Sequence, residues 1–280
     1  MSHWPARPMS DPDVDRAFAG SIPQVYDRYL VPLLFEPYAA DLAARVGRRR
    51  PSRVIEVAAG TGVVTRQLSS ILDSGVSIVA TDLNQPMLDH ASSVGTSRPV
   101  EWRRADAMQL PFPDESFDVA VCQFGVMSFP DRPRAYSEAR RVLRPGGAFI
   151  FSVWDRIEEN EFADVVIQAL ASWSPGNPPG FLARTPHGYH DRSVIARDLA
   201  LGGFARPPEF TELAERSRAT SPYVPALAYC QGTPLRTEIE ARGPSRLVEA
   251  TEIAAAGIAR RFGCGAVDGK IQARIVTVER

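Results

Sequence analysis

The chain has 280 residues, 44% of them hydrophobic, so it can bury one large core or a core with a smaller subdomain. Its formal net charge of −1 offers no basic excess to neutralise phosphates, which argues against a nucleic-acid partner. No stretch reaches the length of a membrane span, and three cysteines without metal-ligand spacing fit a reducing compartment, so we expect a cytoplasmic protein with no membrane partner.

The first part of the chain predicts a frayed terminus followed by helices. Residues 1 to 20 are polar and contain prolines, as frayed termini often do. Between residues 22 and 46, apolar side chains recur at helical spacing. This pattern predicts one or two amphipathic helices that break near Pro32 and Pro37, because proline disrupts a helix interior.

A strand, a glycine-containing turn and a helix follow. Residues 53 to 57 are rich in β-branched side chains, whereas residues 63 to 72 carry apolar side chains at helical spacing. Gly60 and Gly62 lack the Cβ atoms that would keep a ligand away from the turn, and glycine tolerates positive φ. In an open α/β sheet the ligand crevice lies at the carboxyl ends of the strands, so this turn predicts a ligand site.

A nicotinamide or flavin dinucleotide site is the obvious alternative for such a turn. Its fingerprint has a third glycine, where this chain has Thr65. Glu56 lies inside the strand, and a carboxylate there would repel a pyrophosphate, which indicates a cofactor with positive charge near the turn. The other interpretation of Glu56 is an acid paired at the strand end.

A second predicted strand, residues 76 to 81, ends at Asp82, twenty residues beyond Gly62. A carboxylate at that place usually binds the hydroxyls of a ribose. The glycine turn and this acid together favour a cofactor that carries a ribose.

Five segments of the chain resemble, in order, the motifs of class I methyltransferases that depend on S-adenosylmethionine. The resemblance is to the small-molecule branch that includes the ubiquinone and menaquinone C-methyltransferases. The segments are residues 56–62, 80–88, 104–112, 117–125 and 140–147. The chain departs from the family at Ala58, where many members carry the first of three glycines. Alanine resists positive φ, but we expect cofactor binding to survive.

The resemblance implies S-adenosylmethionine as the cofactor and assigns its contacts. Thr61 and the turn would hold the methionine moiety, Asp82 the ribose, and Gln123 would lie under the sulfonium. The adenine would lie between Leu83 and Met87, next to Asp106 and Ala107, and Tyr26 and Tyr29 would close over the cofactor. The implied cofactor residues are Tyr29, Glu56, Ala58, Gly60, Thr61, Gly62, Asp82, Leu83, Met87, Asp106, Ala107 and Gln123. Three of these residues also have a purely structural interpretation. Met87 could pack in the helix core, Asp106 could stabilise its turn, and Gln123 could bond loop backbone groups.

The remaining elements are expected to build the acceptor side. Residues 149 to 154 predict a fifth strand, and residues 155 to 203 predict helices, with Asp191 as an N-cap and Gly202 with Gly203 as a stop. Between these helices, residues 174 to 188 form a Pro/Gly-rich loop suited to substrate recognition.

Two further strands are predicted at residues 210 to 217 and 270 to 278. Residues 220 to 262 between them read as a helical insertion. Its second helix carries Leu247, Ala250, Ala254 and Ile258 on one face. We expect this insertion to wall a substrate cavity or to form a dimer contact.

His187 and His190, at the end of the loop, are the candidate catalytic residues. Methyl transfer from a sulfonium is an in-line displacement, so the enzyme mainly orients the reactants and excludes water. Oxygen and activated-carbon nucleophiles also profit from a general base, which either histidine could supply. The alternative is a pair of loop histidines exposed to solvent.

The acceptor is expected to be a small molecule. Enzymes of this class that methylate amines of bases or glutamine often carry an Asn/Asp-Pro-Pro-Tyr loop after the fourth strand. This chain has Gln123-Phe124-Gly125-Val126 there, without a proline pair. A small molecule with an oxygen, carbon or unactivated nitrogen nucleophile is therefore favoured.

We predict an α/β fold with a Rossmann-like, seven-stranded, mostly parallel sheet, helices on both faces, an N-terminal helical lid and a helical insertion before the last strand. Residues 1–46 would form the tail and lid, 47–219 the cofactor-binding core, 220–268 the insertion and 269–280 the last strand. The expected activity is methyl transfer from S-adenosylmethionine to an O, C or N nucleophile of a small molecule. A nicotinamide oxidoreductase, an enzyme that uses the bound cofactor for a reaction other than methylation, and a noncatalytic binding protein are the alternatives.

Overall fold

Seven strands form one sheet in the order β3-β2-β1-β4-β5-β7-β6. The computed structural model describes residues 22–243 and 245–280, so the predicted frayed terminus, residues 1 to 20, lies outside the described residues. The strands are β1 (Arg53–Val57), β2 (Ser77–Asp82), β3 (Glu101–Arg104), β4 (Phe117–Gln123), β5 (Leu143–Trp154), β6 (Glu209–Ala219) and β7 (Val267–Glu279). Strands β1 to β5 pair in parallel, and β7 runs antiparallel to β5 and β6. The predicted Rossmann-like, mostly parallel sheet is confirmed.

The central strands are buried on both faces because they are nearly continuous apolar runs. In β1, Val54 and Ile55 are fully buried, and in β4 the run 119–122 is buried as well. Parallel strands covered on both sides have this composition. The carboxyl ends of β3, β2, β1 and β4 therefore lie at one edge of the sheet, where the strand order reverses between β1 and β4.

Helices flank the sheet along the whole described chain. The α-helices are α1 (Ile22–Val25), α2 (Glu36–Arg48), α3 (Val63–Ile71), α4 (Gln85–Val94), α5 (Arg132–Val142), α6 (Glu161–Trp173), α7 (Phe181–Arg184), α8 (Arg192–Leu201), α9 (Tyr223–Gln231), α10 (Leu235–Glu240) and α11 (Arg246–Phe262). The predicted cap is present, since the Asp191 side chain accepts hydrogen bonds from the backbone of Ser193 and Val194. None of the helices in the described ranges is long and apolar enough to cross a membrane.

The N-terminal helices do not break at the prolines, contrary to the prediction. The chain stays helical from residue 22 to residue 48, and Pro32 lies inside a π-helix, Tyr26–Phe35, that joins α1 to α2. Proline lacks a backbone N–H and crowds the preceding turn, and a wider π turn is one way for a helix to continue past it. Pro37 is the second residue of α2, and the helix continues past it as well.

The segment between β6 and β7 is helical, as predicted, but it contains α9 and α10 before the long helix α11. The apolar face that was predicted for the second helix of the insertion therefore lies on its third helix, α11. Ala250, Ala254 and Ile258 are buried there, and Leu247 packs partly buried against the core. The insertion packs on the same side as α6, which α11 contacts along its length.

Candidate functional site: two adjoining cavities

The first cavity opens at the carboxyl ends of β3, β2, β1 and β4 and measures about 800 Å³, counted to its solvent-open mouth. Most residues that the sequence assigns to the cofactor lie on its wall. These are Ala58, Gly60, Asp82, Leu83, Met87, Asp106, Ala107 and Gln123. Tyr26 also lines it, whereas Tyr29, Glu56, Thr61 and Gly62 do not. Sequence reasoning missed Phe124, Gly125, Ser128 and Phe129 on the same wall.

The turn after β1 has left-handed backbone at three positions. Gly60 and Gly62 have φ of 56° and 81°, and Ala58 has φ of 57°. A Cβ on Gly60 would meet no atom within 4 Å, so its exposed face borders the cavity, whereas a Cβ on Gly62 would lie 2.9 Å from the Trp102 ring. Ala58 thus adopts the positive φ that alanine disfavours, at a cost of about 1 to 2 kcal/mol.

Asp82 ties the ends of β1 and β2 together. Its carboxylate accepts hydrogen bonds from the backbone N–H of Gly60 (2.9 Å) and of Asn84 (2.8 Å). Burial raises the pKa of this carboxyl, and the two backbone donors oppose that rise. The Asn84 Nδ2 also donates to this carboxylate (3.3 Å), and because a carboxylate has about four lone-pair directions, Asp82 keeps capacity for a hydroxyl donor from the cavity.

Glu56 points away from the cavity and is paired, which corresponds to the alternative interpretation of this acid. The Thr65 hydroxyl on α3 donates to its carboxyl over 2.5 Å. Burial raises the pKa of Glu56 to about 8, and the Thr65 hydrogen bond opposes the rise. The carboxyl is thus largely neutral at pH 7, and the argument from its negative charge does not hold.

On the far side of the cavity, Asp106 stabilises its own turn. Its carboxylate accepts a hydrogen bond from the backbone N–H of Met108 (2.9 Å), the arrangement of a turn-stabilising aspartate. It also lines the cavity next to Ala107, opposite Leu83 and Met87. Both interpretations of Asp106 are therefore compatible with its place.

Two buried polar atoms near the turn lack partners among the described residues. Gln123 donates from Nε2 to the carbonyl of Phe35 (3.3 Å), but its Oε1 accepts nothing. The Thr61 hydroxyl, 1% exposed, is also unpartnered. Buried polar groups are normally hydrogen-bonded, so the unsatisfied Oε1 of Gln123, a residue of the cavity wall, indicates a polar ligand.

A second cavity adjoins the first and measures about 630 Å³, again counted to its open mouth. Six of the side chains that line it are aromatic: Tyr26, Phe35, Phe124, Trp154, Phe181 and Tyr229. Tyr26, Phe124 and Ser128 line both cavities, so these three residues form the junction. The sequence predicted a substrate cavity walled by the insertion and by residues 174 to 188, and Phe181, His187 and Tyr229 of these segments line this cavity. The aromatic wall contributed by Phe35, Phe124 and Trp154 was not predicted.

The wall at the junction is held rigidly. The Phe124 ring stacks on Trp154 with centroids 3.8 Å apart and planes 3° apart. Phe124 has φ of 51°, an uncommon angle for a bulky residue, and Tyr26 stacks on Phe35 at 5.0 Å. Strained backbone of this kind persists only where the surroundings over-determine it, and it clusters at functional sites.

The two candidate histidines have different places. His187 lines the second cavity and is 5% exposed, so it is not the solvent-exposed loop residue of the alternative. His190 lines neither cavity, and its Nδ1 lies 2.8 Å from the carbonyl of His187. The His187 Nδ1 lies 2.8 Å from the carbonyl of Asp155, and burial lowers the pKa of His187 to about 4.

The first cavity fits S-adenosylmethionine. The unpartnered Oε1 of Gln123 offers an acceptor for the cationic end, and the spare lone pairs of Asp82 offer acceptors for a ribose. The open face of Gly60 leaves room for a ligand at the turn. No group of three or more metal-ligand side chains occurs in the described parts of the chain.

Comparisons with known proteins agree with this site. Residues 55–151 match the sequence model of a methyltransferase domain family. The ubiquinone/menaquinone biosynthesis C-methyltransferase UbiE of Pseudomonas fluorescens is 36% identical over 121 residues, which are 42% of this chain and 46% of that protein. The chain thus spans about half the length of the curated relatives it matches.

Solved structures show the same fold at low identity. A Haemonchus contortus phosphoethanolamine N-methyltransferase, in complex with phosphomonomethylethanolamine and S-adenosylhomocysteine, is 16% identical with a TM-score of 0.58 over 99% of this chain and 61% of that one. The [4+2]-cyclase SpnF is 20% identical with a TM-score of 0.51 over 88% of this chain and 83% of that one. The matched domain, residues 55–151, is therefore similar to methyltransferase domains and to UbiE, and the chain shares its fold with solved methyltransferase structures.

Proposed function

We propose that this protein transfers a methyl group from S-adenosylmethionine in the first cavity to a small molecule in the second. The observation that carries the proposal is the junction, because Tyr26, Phe124 and Ser128 belong to both walls. A methyl donor in the first cavity and an acceptor in the second would therefore meet at this junction. In-line displacement needs the two reacting atoms to be held in contact and in line.

In this proposal the chain's own residues orient the reactants and keep water out. Asp82 binds the ribose, Gln123 offers Oε1 toward the sulfonium, and Leu83 and Met87 enclose the adenine. Asp106 and Ala107 hold the adenine edge. When bound, the cofactor supplies an activated methyl group with a neutral leaving group, so the protein need not stabilise a new charge on it.

His187 is the proposed base, and His190 is a supporting residue. The lowered pKa keeps the His187 imidazole neutral at pH 7, although a weaker base than free imidazole. A hydroxyl oxygen becomes strongly acidic once it is alkylated, so a weak base suffices to take its proton.

Calorimetric titration with S-adenosylmethionine, S-adenosylhomocysteine and NADH tests the cofactor. We expect micromolar binding of the first two and none of NADH. Binding of NADH alone, or of no compound, would contradict the proposal. Label transfer from methyl-labelled S-adenosylmethionine to a small-molecule extract then separates a methyltransferase from a protein that only binds the cofactor or uses it for another reaction.

Matched alanine variants test the histidines. His187→Ala should lose turnover and keep cofactor affinity, whereas His190→Ala should retain most of the turnover because its ring lies outside both cavities. Equal turnover of the two variants would remove His187 from the mechanism.

The domain boundaries at residues 46, 219 and 268, a homodimer contact through the insertion and a cytoplasmic location remain proposals. The helical segment between β6 and β7, in which α9 contributes Tyr229 to the second cavity, supports the boundaries at residues 219 and 268. Size-exclusion chromatography with light scattering tests the homodimer, and a monomer at micromolar concentration would refute it.

A further inference from the structure

The second cavity contains no charged side chain among the described residues that line it. Its wall is made of apolar and aromatic side chains together with Ser128, Asn160, His187, Tyr229 and Thr233. The first cavity, in contrast, is lined by Asp82 and Asp106. An ion buried without a partner costs several kcal/mol in a protein interior, so an uncharged wall selects against charged ligands.

The buried carboxylate next to His187 is already paired behind the wall, and Glu158, which also acts on His187, is exposed to solvent and lies outside the cavity lining. The Asp155 carboxylate, 1% exposed, accepts from Gln272 Nε2 (2.7 Å) and forms an ion pair with Arg274 (2.8 Å). Neither Asp155 nor Arg274 lines the cavity. They fix the position of His187 through the Asp155 carbonyl and leave no net charge for a ligand.

Two of the polar side chains already make their hydrogen bonds within the protein. Asn160 donates to the carbonyls of Asp155, Arg156 and Gln272 and accepts from the Gln272 backbone. The Thr233 hydroxyl donates to the carbonyl of Tyr229 and accepts from the backbone of Leu235. Neither side chain has an N–H or O–H left to donate to a ligand, and each oxygen already accepts one hydrogen bond.

His187 is different, because its free nitrogen is an acceptor. The Asp155 carbonyl can only accept, so the His187 Nδ1 must carry the proton and the neutral ring leaves a lone pair on Nε2. Nε2 makes no hydrogen bond to the described residues. The hydroxyls of Tyr229 and Ser128 likewise have no hydrogen-bond partner among them, but they can rotate to donate or accept.

We infer that the second cavity binds an uncharged, flat, aromatic acceptor whose hydroxyl donates a hydrogen bond to Nε2 of His187. Six aromatic side chains supply flat apolar contact, and His187 supplies the one fixed acceptor. This inference rests on the proposed function and narrows it. It excludes anionic acceptors such as phosphate esters and carboxylates, and cationic acceptors such as ammonium compounds.

Four probes of one size and shape test the inference: 2-naphthol, 2-methoxynaphthalene, 2-naphthoate and 2-naphthylmethylammonium. Each is titrated calorimetrically into the protein saturated with S-adenosylhomocysteine. We expect 2-naphthol to bind about fivefold to tenfold more tightly than 2-methoxynaphthalene, the value of one neutral hydrogen bond. The two ions should bind at least about a hundredfold more weakly than 2-naphthol.

His187→Phe should abolish the preference for 2-naphthol over 2-methoxynaphthalene, and His190→Phe should retain it. Tight binding of either ion, failure of 2-naphthol to bind, or a preference that survives in His187→Phe overturns the inference. Failure of S-adenosylhomocysteine to bind overturns the proposed function instead, so the two failures are distinct.

Nitrogen NMR of the unsubstituted protein keeps the inference testable if His187→Phe does not fold. The His187 resonances should report a neutral ring protonated at Nδ1, and the Nε2 resonance should shift with 2-naphthol but not with 2-methoxynaphthalene. A ring protonated at Nε2, or an Nε2 resonance that 2-naphthol leaves unchanged, contradicts the inference.

Discussion

The two cavities share a wall but are built in different ways. Apart from Tyr26, the first is made of four loops that follow neighbouring parallel strands, and backbone N–H groups and carboxylates provide its polar contacts. The second is made mainly of side chains from the π-helix, residues 124 to 128 after β4, the end of β5, α7 with the turn that follows it, and α9. Short motifs therefore encode the first cavity, whereas the second exists only once distant segments have packed.

The largest expected effect comes from a substitution that weakens ligand binding in the first cavity but not in the second. Asp82→Asn removes the charge that strengthens hydrogen bonds to a ribose and should weaken S-adenosylmethionine binding about a hundredfold, or about 2.7 kcal/mol. Binding of an uncharged aromatic probe in the second cavity should change little. Calorimetry measures both affinities.

Asp89→Asn on the outer face of α4 is the matched control, because Asp89 contacts only Gln85 and lies outside both cavities. Its affinity for the cofactor should equal that of the unsubstituted protein. If Asp82→Asn also binds S-adenosylmethionine normally, the ribose assignment is wrong.

A second substitution probes the tight packing behind the turn. A Cβ on Gly125 would lie 2.6 Å from the Ala58 Cβ and 2.8 Å from the Cys122 sulfur. Gly125→Ala should therefore lower the free energy of unfolding by about 2 kcal/mol, as overpacked sites do. Urea denaturation measures the change, and Ala58→Gly in the same chain should recover part of it.

Gly176→Ala serves as its control, since a Cβ there would meet nothing within 4 Å. Its effect should stay within about 0.5 kcal/mol. Equal destabilisation by the two substitutions would mean that the contact between Ala58 and Gly125 is not tight.

The cavities also differ in how pH changes stability. Glu56 beside the first has a pKa raised from 4.5 to about 8, so the folded protein keeps a proton that the unfolded chain releases. Stability is then lost as pH rises from about 4.5 to 8, with a slope on the order of 1 kcal/mol per pH unit. His187 in the second has a pKa lowered from 6.5 to about 4, so stability is lost as pH falls from about 6.5 to 4.

Urea denaturation across this pH range, with one variant for each of the two groups, checks the assignment. The two effects oppose each other between about pH 4.5 and 6.5. Glu56→Gln should therefore leave only the rise in stability from about pH 4 to 6.5, and His187→Gln only the loss from about pH 4.5 to 8. If Glu56→Gln still loses stability as pH rises towards 8, a group other than Glu56 causes that loss.

The smallest expected effect concerns the backbone of the turn. Ala58→Gly relieves a positive φ but adds flexibility to the unfolded chain, so the free energy of unfolding should change by less than about 1 kcal/mol. Ala59→Gly, the neighbour without a positive φ, should destabilise by about 1 kcal/mol. Thermal unfolding compares the two, and a larger loss in Ala58→Gly would contradict the strain at Ala58.

Sequence patterns predicted most of the strands and the first cavity, because both depend on local chemistry. The turn at Gly60, the acid at Asp82 and the strand at residues 117 to 123 each follow from spacing of neighbours along the chain. The charge of Glu56 was misjudged for the same reason, since its neutral state depends on burial under α3.

The full wall of the second cavity could not be predicted, because no motif shows which side chains meet across the fold. Tyr26 and Tyr29 looked equivalent in sequence, yet only Tyr26 lines the cavities. His187 and His190 were likewise equivalent candidates, and the Asp155 carbonyl distinguishes them only in three dimensions. The unbroken helix at Pro32 depended on a π turn that no propensity scale predicts.

The insertion of β7 between β5 and β6 has a consequence for the order of folding. Strands β1 to β5 can pair as soon as residues 53 to 154 are available, whereas β6 has no partner in the described sheet other than β7. The contacts of Asp155 that hold His187 also come from β7. During vectorial synthesis we therefore expect the cofactor half to become ordered first, and the acceptor half to wait for residues 267 to 279. Pulse-labelled hydrogen exchange during refolding should show amides of β1 and β4 protected before those of β6, and simultaneous protection would refute this order.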